Sequence, residues 1–352
     1  MALKIGIIGC GSIGTLHCNS YKNMGDRVEF VACCDIVEEK AKRYAETYGF
    51  KKYYTDVHTM MAECELDAVS VTTWNAAHAE CTVAALEGGA NVLCEKPMAM
   101  NTAEALVMQA AAEKAGKLLM IGFVRRHGND AATALDYIEG GYLGEIYHID
   151  TTYMRCAGFP GNWFGDKAYS GGGPLIDLGV HMIDLSRYLA GNPKPVCVFG
   201  QTFSKLGPRD NLKSVPLPWT SSSNLPQPKF NVEDLVTAMI RFDNGMVMNV
   251  KASFSLHASR DSQTLDIYGT KGGLTLNPFV IHTEVGDRLA DIQIKGNVGE
   301  GDFFTNEIRN FIDSVEGKAE CKAPAKDGVE LMRILDAIYQ SAETGKSVDI
   351  MR

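Results

Sequence analysis

The string Gly9-Cys10-Gly11-Ser12-Ile13-Gly14 sits between an apolar run, Lys4–Ile8, and a helical pattern, Ser12–Lys22. Three glycines at this spacing meet three different steric demands. The first permits the tight turn out of the strand. The second keeps a side chain out of the space where backbone N–H groups meet a pyrophosphate. The third lets the helix lie close to the strand. The helix N-terminus adds about half a unit of positive charge toward the anion. Asp35 follows 21 residues after Gly14, at the end of a second β-branched run, Val28–Cys34. A carboxylate there accepts hydrogen bonds from the adenosine ribose hydroxyls and repels a 2′-phosphate. The expected cofactor is therefore NAD, with NADP less favoured. Gly9, Gly11, Ser12, Ile13, Gly14 and Asp35 are its expected contacts.

The rest of residues 1–122 continues the alternation. Ala68–Thr72, Ala90–Cys94 and Leu118–Gly122 read as strands; Glu38–Tyr48, Ala77–Glu87 and Thr102–Ala115 read as helices. Strands alternating with helices predict βαβ units and a doubly wound parallel sheet covered on both faces. The pattern then changes. After a helix at Asn129–Glu139, strands dominate at Glu145–Tyr153, Val196–Phe203, Leu235–Phe242, Met246–Phe254, Gln263–Tyr268, Leu274–Leu276 and Val280–Glu284. Asn244-Gly245 between two of them is a strong hairpin signal. Helices return at Phe303–Val315 and Gly328–Glu343; in the second, Val329, Met332, Leu335 and Ile338 share one apolar face. The expected class is α/β: a Rossmann domain over 1–122, then an α+β domain over 123–352. The second domain would bind substrate and form oligomers, and the C-terminal helix would pack back on the first. Residues 204–232 hold five of the chain's 12 prolines and the run Ser221-Ser222-Ser223. A segment so long and polar reads as a lid, a contact arm or a mobile insertion.

Composition narrows the partners. Lys plus Arg number 34 against 43 Asp plus Glu, a net charge of −9. A nucleic-acid-coating or membrane-surface protein is normally basic, so neither partner is expected. No apolar run approaches the roughly 18–20 residues needed to cross a bilayer. The ten cysteines show no paired spacing, which fits reduced thiols in a cytoplasm and gives no support to a disulfide scaffold or a metal site. Cys10, near a helix N-terminus, is a conceivable redox thiol, but a small residue filling a tight turn explains it more simply.

Glu95-Lys96-Pro97 follows directly on an apolar strand, and Gly171-Gly172-Gly173-Pro174-Leu175-Ile176-Asp177-Leu178-Gly179-Val180-His181 lies further along. With the N-terminal fingerprint ending at His17, with Gly122-Phe123-Val124-Arg125-Arg126 and with the terminal Ala342-Glu343-Thr344-Gly345, nearly the whole chain resembles the Gfo/Idh/MocA oxidoreductases, the glucose–fructose oxidoreductase and inositol dehydrogenase family. The resemblance implies a Rossmann domain followed by a domain with a large, open, mostly antiparallel sheet. It implies hydride transfer between a nicotinamide and a sugar, cyclitol or glycoside, by homodimers or homotetramers built through that sheet. Thr72, Thr73, Trp74, Asn75 and His78 match the family's loop near the nicotinamide ribose, with tryptophan where proline is usual. That change frees φ and restores an N–H. Glu95, Lys96, Arg125 and Trp163 match positions lining the cofactor, and Tyr153 and Arg155 positions near the substrate. His17 carries no expected chemistry.

The chemistry can also be argued from the residues. Oxidising a secondary alcohol sends a hydride from carbon and a proton from oxygen, so a base must reach the hydroxyl and positive charge must sit beside the developing alkoxide. Lys96 suits the second task and conceivably the first. Asp177 and His181 are four apart; if Pro174 starts a helix, they share one face. His181 titrates near neutrality and is the favoured base, oriented by Asp177. Which of Lys96 and His181 takes the proton stays open at this stage. All three are expected to contact substrate, and Asp184, a turn further on, would support them. Besides a dehydrogenase, three readings remain: an enzyme with retained cofactor that oxidises C3 of a glycoside so that an aglycone can leave later, a nucleotide-binding sensor without catalysis, and an NAD-assisted glycosidase.

Overall fold

A computed structural model describes residues 1–212, 229–296 and 298–350. Two compact units are present. The first is built from Met1–Val124 and Phe304–Met332, the second from Arg125–Ser221, Leu225–Phe303 and Arg333–Arg352 so far as these are described. Most of the Pro-rich segment singled out above lies outside the described residues.

The first unit holds six parallel strands: β1 Leu3–Ile8, β2 Val28–Cys34, β3 Lys52–Tyr54, β4 Ala68–Val71, β5 Asn91–Glu95 and β6 Leu119–Gly122. Their spatial order is β3-β2-β1-β4-β5-β6. The order reverses between β1 and β4, so the crevice beyond their C-terminal ends is where such sheets bind ligands. β4 and β6 are buried throughout, as strands covered on both faces must be. The helices Ser12–Lys22, Glu38–Tyr48 and Thr102–Ala115 have the bounds that their patterns predict. The three-residue β3 and the helix Val57–Glu63 were not anticipated, because so short a strand carries no readable alternation. The helix Phe303–Val315 supplies Ile308, Phe311 and Ile312, fully buried, to this unit's core.

The second unit is built on nine strands, adding β7 Ile146–Met154, β8 Pro195–Phe203, β9 Leu235–Phe242, β10 Val247–Ser253, β11 Ser262–Gly269, β12 Gly273–Thr275, β13 Val280–Glu284, β14 Leu289–Ile292 and β15 Val348–Asp349. The order is β14-β13-β12-β11-β7-β10-β9-β8-β15, antiparallel except where β7 lies parallel to β10. β9 and β10 are joined through Asn244-Gly245, with Gly245 at φ +87. The terminal β14 and β15 were missed, being edge strands of four and two residues. β9 shows how the sheet faces divide: Val236, Ala238, Ile240 and Phe242 are buried while Met239 is half exposed. On the outward face Phe199, Met239, Asn249 and Asp150 pair in one row across β8, β9, β10 and β7.

A buried ion pair fixes the helix Val180–Leu189 within this unit. Asp184 accepts from Arg126 Nε at 2.9 Å and Nη2 at 2.6 Å, and Arg126 also lies 4.7 Å from the Tyr188 ring centroid. Both charges are almost wholly buried, so removal of either partner leaves an uncompensated interior charge. Asp184→Ala is expected to destabilise the protein by about 3–5 kcal/mol in denaturant titration. Gly14→Ala is expected to cost about 1–3 kcal/mol, because its Cβ would lie 2.5 Å from the Gly9 carbonyl oxygen.

Candidate active site

The glycine loop of the first unit meets the three demands read from its spacing. Gly9 has φ +97, and a Cβ there would come within 2.7 Å of the Thr72 carbonyl. Gly14 permits the helix contact already described. Among the described residues, a Cβ on Gly11 would meet nothing within 4 Å. The helix that starts there has no side-chain cap and no acidic residue in its first turn. A helix N-terminus that begins at a glycine and carries no acidic residue suits a dinucleotide pyrophosphate. Thr72 stays behind the loop, where its hydroxyl donates to the carbonyls of Gly9 (2.7 Å) and Ile8 (3.1 Å). Asp35 accepts from the N–H of Cys10 at 3.0 Å and of Val37 at 2.9 Å, one bond to each oxygen. Each oxygen keeps acceptor capacity for a ribose hydroxyl. Hydrogen bonding to Cys33, then burial, pushes the Cys10 thiol upward, the reverse of what a reactive thiolate needs.

At the end of β5 the structure turns two of the expected cofactor-lining side chains inward. Glu95 is buried; it accepts from His17 Nε2 at 3.0 Å and from the Lys96 N–H at 3.1 Å. His78 is buried with Nδ1 2.7 Å from the Pro97 carbonyl and Nε2 3.3 Å from that of Thr73. Burial pushes its imidazole below the ordinary histidine value. Both ring nitrogens face backbone carbonyls, so His78 braces two loops and does not reach into the crevice. Lys96 and Trp74 remain half-buried, and Asn75 is buried.

In the second unit, residues Leu175–Gly179 form a π-helical turn that runs into the helix Val180–Leu189. Such turns widen the helix locally and are frequent at functional sites. From Gly172 to Arg187, only Asp177 and His181 are not buried. The glycine run ahead of them has a steric cause. A Cβ on Gly172 would lie 1.9 Å from the Tyr339 hydroxyl, and one on Gly173 2.2 Å from the Glu233 carbonyl oxygen. Glu233 then closes the helix start: it accepts from the N–H groups of Gly173 (3.0 Å) and Leu175 (3.2 Å) and from the Tyr339 hydroxyl (2.9 Å). Burial raises its carboxyl above the ordinary value, and those bonds oppose the rise. Neither Glu233 nor Tyr339 was picked out from sequence, since nothing local marks a carboxylate 60 residues from the helix it caps.

The remaining candidates in this unit separate. Arg125, Tyr153 and Arg155 gather: the guanidinium carbons lie 5.6 Å and 5.2 Å from the Tyr153 ring centroid, and Arg155 Nη2 donates to the Tyr153 hydroxyl at 3.2 Å. Arg125 also pairs with Glu300 at 2.5 Å. Trp163 is buried and stacked on Phe164, centroids 3.9 Å apart, so it is a packed aromatic.

Comparison with known proteins agrees with this geometry. Residues 3–123 match the GFO_IDH_MocA model, described as an oxidoreductase family with an NAD-binding Rossmann fold, and residues 131–275 match the GFO/IDH/MocA C-terminal domain. The chain is 34% identical to a D-glucoside 3-dehydrogenase of Escherichia coli, over 99% of this chain and 97% of that one. It is 27% identical to a levoglucosan dehydrogenase of Pseudarthrobacter phenanthrenivorans, over 99% and 98%. A levoglucosan dehydrogenase solved in complex with NADH superposes with a TM-score of 0.86 at 26% identity, covering 100% of both chains. The glycine loop, the Glu95-Lys96-Pro97 turn and the matches across both domains lead to one assignment: the chain belongs to the Gfo/Idh/MocA family as an NAD-dependent oxidoreductase.

Proposed function

We propose that this oxidoreductase acts on a secondary hydroxyl of a glycoside, with C3 of a glucoside as the favoured position. The observation that carries the reading is the pair Asp177 and His181, the only residues between Gly172 and Arg187 that reach solvent. A sensor has no use for an acid and an imidazole left accessible four residues apart in an otherwise buried stretch. The position on the sugar is supported by the 34% identity to a D-glucoside 3-dehydrogenase; free sugars and cyclitols are the broader class.

Bound nicotinamide supplies the hydride acceptor. The protein's own residues manage the proton and the charge. The His181 imidazole takes the hydroxyl proton, and the Asp177 carboxylate orients the ring and stabilises the imidazolium. The Lys96 ammonium lowers the energy of the alkoxide that forms as the proton leaves. Arg125, Tyr153 and Arg155 offer donors and an aromatic face to the sugar's other hydroxyls. The exposed row on the outward sheet face, with Phe199 48% and Met239 49% exposed, supports a homodimer or homotetramer formed through that face. The ten free thiols fit a reducing compartment such as the cytoplasm.

Stoichiometric protein loaded with NAD⁺ and mixed with glucosides, free hexoses and inositols should produce reduced nicotinamide in a single turnover, with glucosides fastest. Lys96→Ala should slow that step by ~10²–10³-fold and His181→Ala by ~10²–10⁴-fold, both with nucleotide binding retained. A wild type that binds NAD⁺ and is silent across the panel would defeat the assignment. Asp35→Ala should erode the preference for NAD over NADP by about 10- to 100-fold, the worth of a hydrogen bond to a charged group; equal discrimination in fluorescence titrations would remove Asp35 from that role.

A further inference from the structure

Beneath the Lys96 turn, wholly within the first unit, lies a cluster that the proposed chemistry does not use. His17 and Glu307 are 0% exposed and Glu95 is 8% exposed. Their ligand-type atoms lie within 4.8 Å of one another. Both carboxylate oxygens of Glu307 are buried and have no hydrogen-bond partner among the described residues. An ionised carboxylate in that setting would cost several kcal/mol, so either a cation balances it or a proton neutralises it.

The hydrogen-bond partners favour the proton, and favour it on Glu307: two groups reach the Glu95 oxygens and, among the described residues, none reaches those of Glu307. Tyr21 is 2.8 Å from Ser70 Oγ, Ser70 Oγ is 3.1 Å from His17 Nδ1, and His17 Nε2 is 3.0 Å from Glu95 Oε1. Glu95 Oε2 accepts the Lys96 N–H at 3.1 Å, so a backbone donor reaches one Glu95 oxygen and the His17 ring the other. One set of protons satisfies every member: Tyr21 donates to Ser70, Ser70 to Nδ1, and Nε2–H to Glu95. It uses both histidine nitrogens and leaves neither for a metal. A second carboxylate beside Glu95 would then be an unbalanced interior charge.

We propose that Glu307 is held as a neutral carboxylic acid against the Glu95 carboxylate, and that this His17–Glu95–Glu307 set is a positioning device that keeps Glu95 the single anion bracing the backbone of Lys96. The link to Lys96 rests on the role given to that lysine above; the protonation of Glu307 does not. Burial first, and Glu95 second, push the Glu307 carboxyl well above its ordinary value. The titratable groups facing it are His17 and Tyr21 from the helix Ser12–Lys22 and Glu95 from β5, and burial keeps the Tyr21 phenol neutral.

The sign of the pH effect follows. A carboxyl raised on folding contributes stability below its unfolded value and loses it as pH climbs toward the folded value. Glu307→Gln mimics the neutral acid and cannot ionise. Its folding equilibrium should therefore gain on the wild type as pH rises from 5, by roughly tenfold per unit until the folded value is passed. An infrared difference spectrum between the two at pH 7 should show loss of a protonated carboxylic-acid carbonyl stretch. A stability gap that does not change with pH, or loss of a carboxylate stretch in its place, overturns the proposal. So does elemental analysis that finds one equivalent of a divalent metal in the wild type and none in Glu307→Gln. None of these readouts needs turnover, so they hold whatever sugar the enzyme takes. The link to Lys96 is read separately in Glu95→Gln. There kcat should fall about a hundredfold, the cost of a misplacement near 1 Å, with KM and NAD⁺ affinity little changed. An unaltered kcat, or an equal loss of nucleotide affinity, overturns the link.

Discussion

Glu233 is a carboxylate in the interior of the second unit, and the presentation of Asp177 and His181 depends on it. Left unpaired it would cost several kcal/mol. Its cost is offset by two backbone N–H groups at a helix start and by the Tyr339 hydroxyl. Those N–H groups also need a partner, being the orphan donors of any helix N-terminus. The carboxylate is attracted by the helix dipole as well. For the contact to form, the chain at Gly172 and Gly173 must pass so close to Tyr339 and Glu233 that no Cβ fits. The glycine run is thus dictated by packing from behind, while its consequence is a helix start at which, as far as Arg187, an acid and an imidazole are the residues left half-buried.

The first unit uses the same economy of space. Gly9 and Gly14 are forced by backbone contacts with Thr72 and with Gly9 itself, while a Cβ on Gly11 would meet nothing within 4 Å among the described residues. Two side chains then tie the loop down from opposite ends: Thr72 holds its carbonyls and Asp35 the N–H of Cys10. Asp35 is thus a brace for the loop. Such a loop is organised before the nucleotide arrives, so little ordering entropy is spent on binding.

Features with a local cause were legible in the sequence. The glycine loop, the helix Ser12–Lys22 and the hairpin at Asn244-Gly245 each depend on spacings of a few residues. The partners that hold these features were not legible. Glu233 is 60 residues from Gly173, Asp184 is 58 from Arg126, and Glu95 is 78 from His17. No periodicity marks a residue whose role is set by a contact at that separation. His78 and Glu95 show what such distant contacts decide. A family position predicts that such a residue lies near the cofactor, but not which way its side chain points, and both point into the protein. The short edge strands were missed for a different reason, since two to four residues carry no alternation.

Burial sorts the ionisable groups of this protein by task. Arg126, Asp184, Glu233, Glu95, His17 and Glu307 are all at least nine-tenths buried, and each of the first five is engaged with a named group. Lys96, Asp177 and His181 are half-buried. A buried charge is expensive to disturb and so gives a fixed reference for the backbone around it. A group that must meet substrate and exchange a proton has to keep access to solvent, which makes it a poor anchor. The two requirements oppose each other at a single residue and are met by adjacent ones. Glu95 stands beside Lys96 in sequence. Asp184 lies one turn beyond His181. Glu233 caps the helix start that leads into Asp177. In each place a buried charge sets the backbone from which a half-exposed ionisable group is presented.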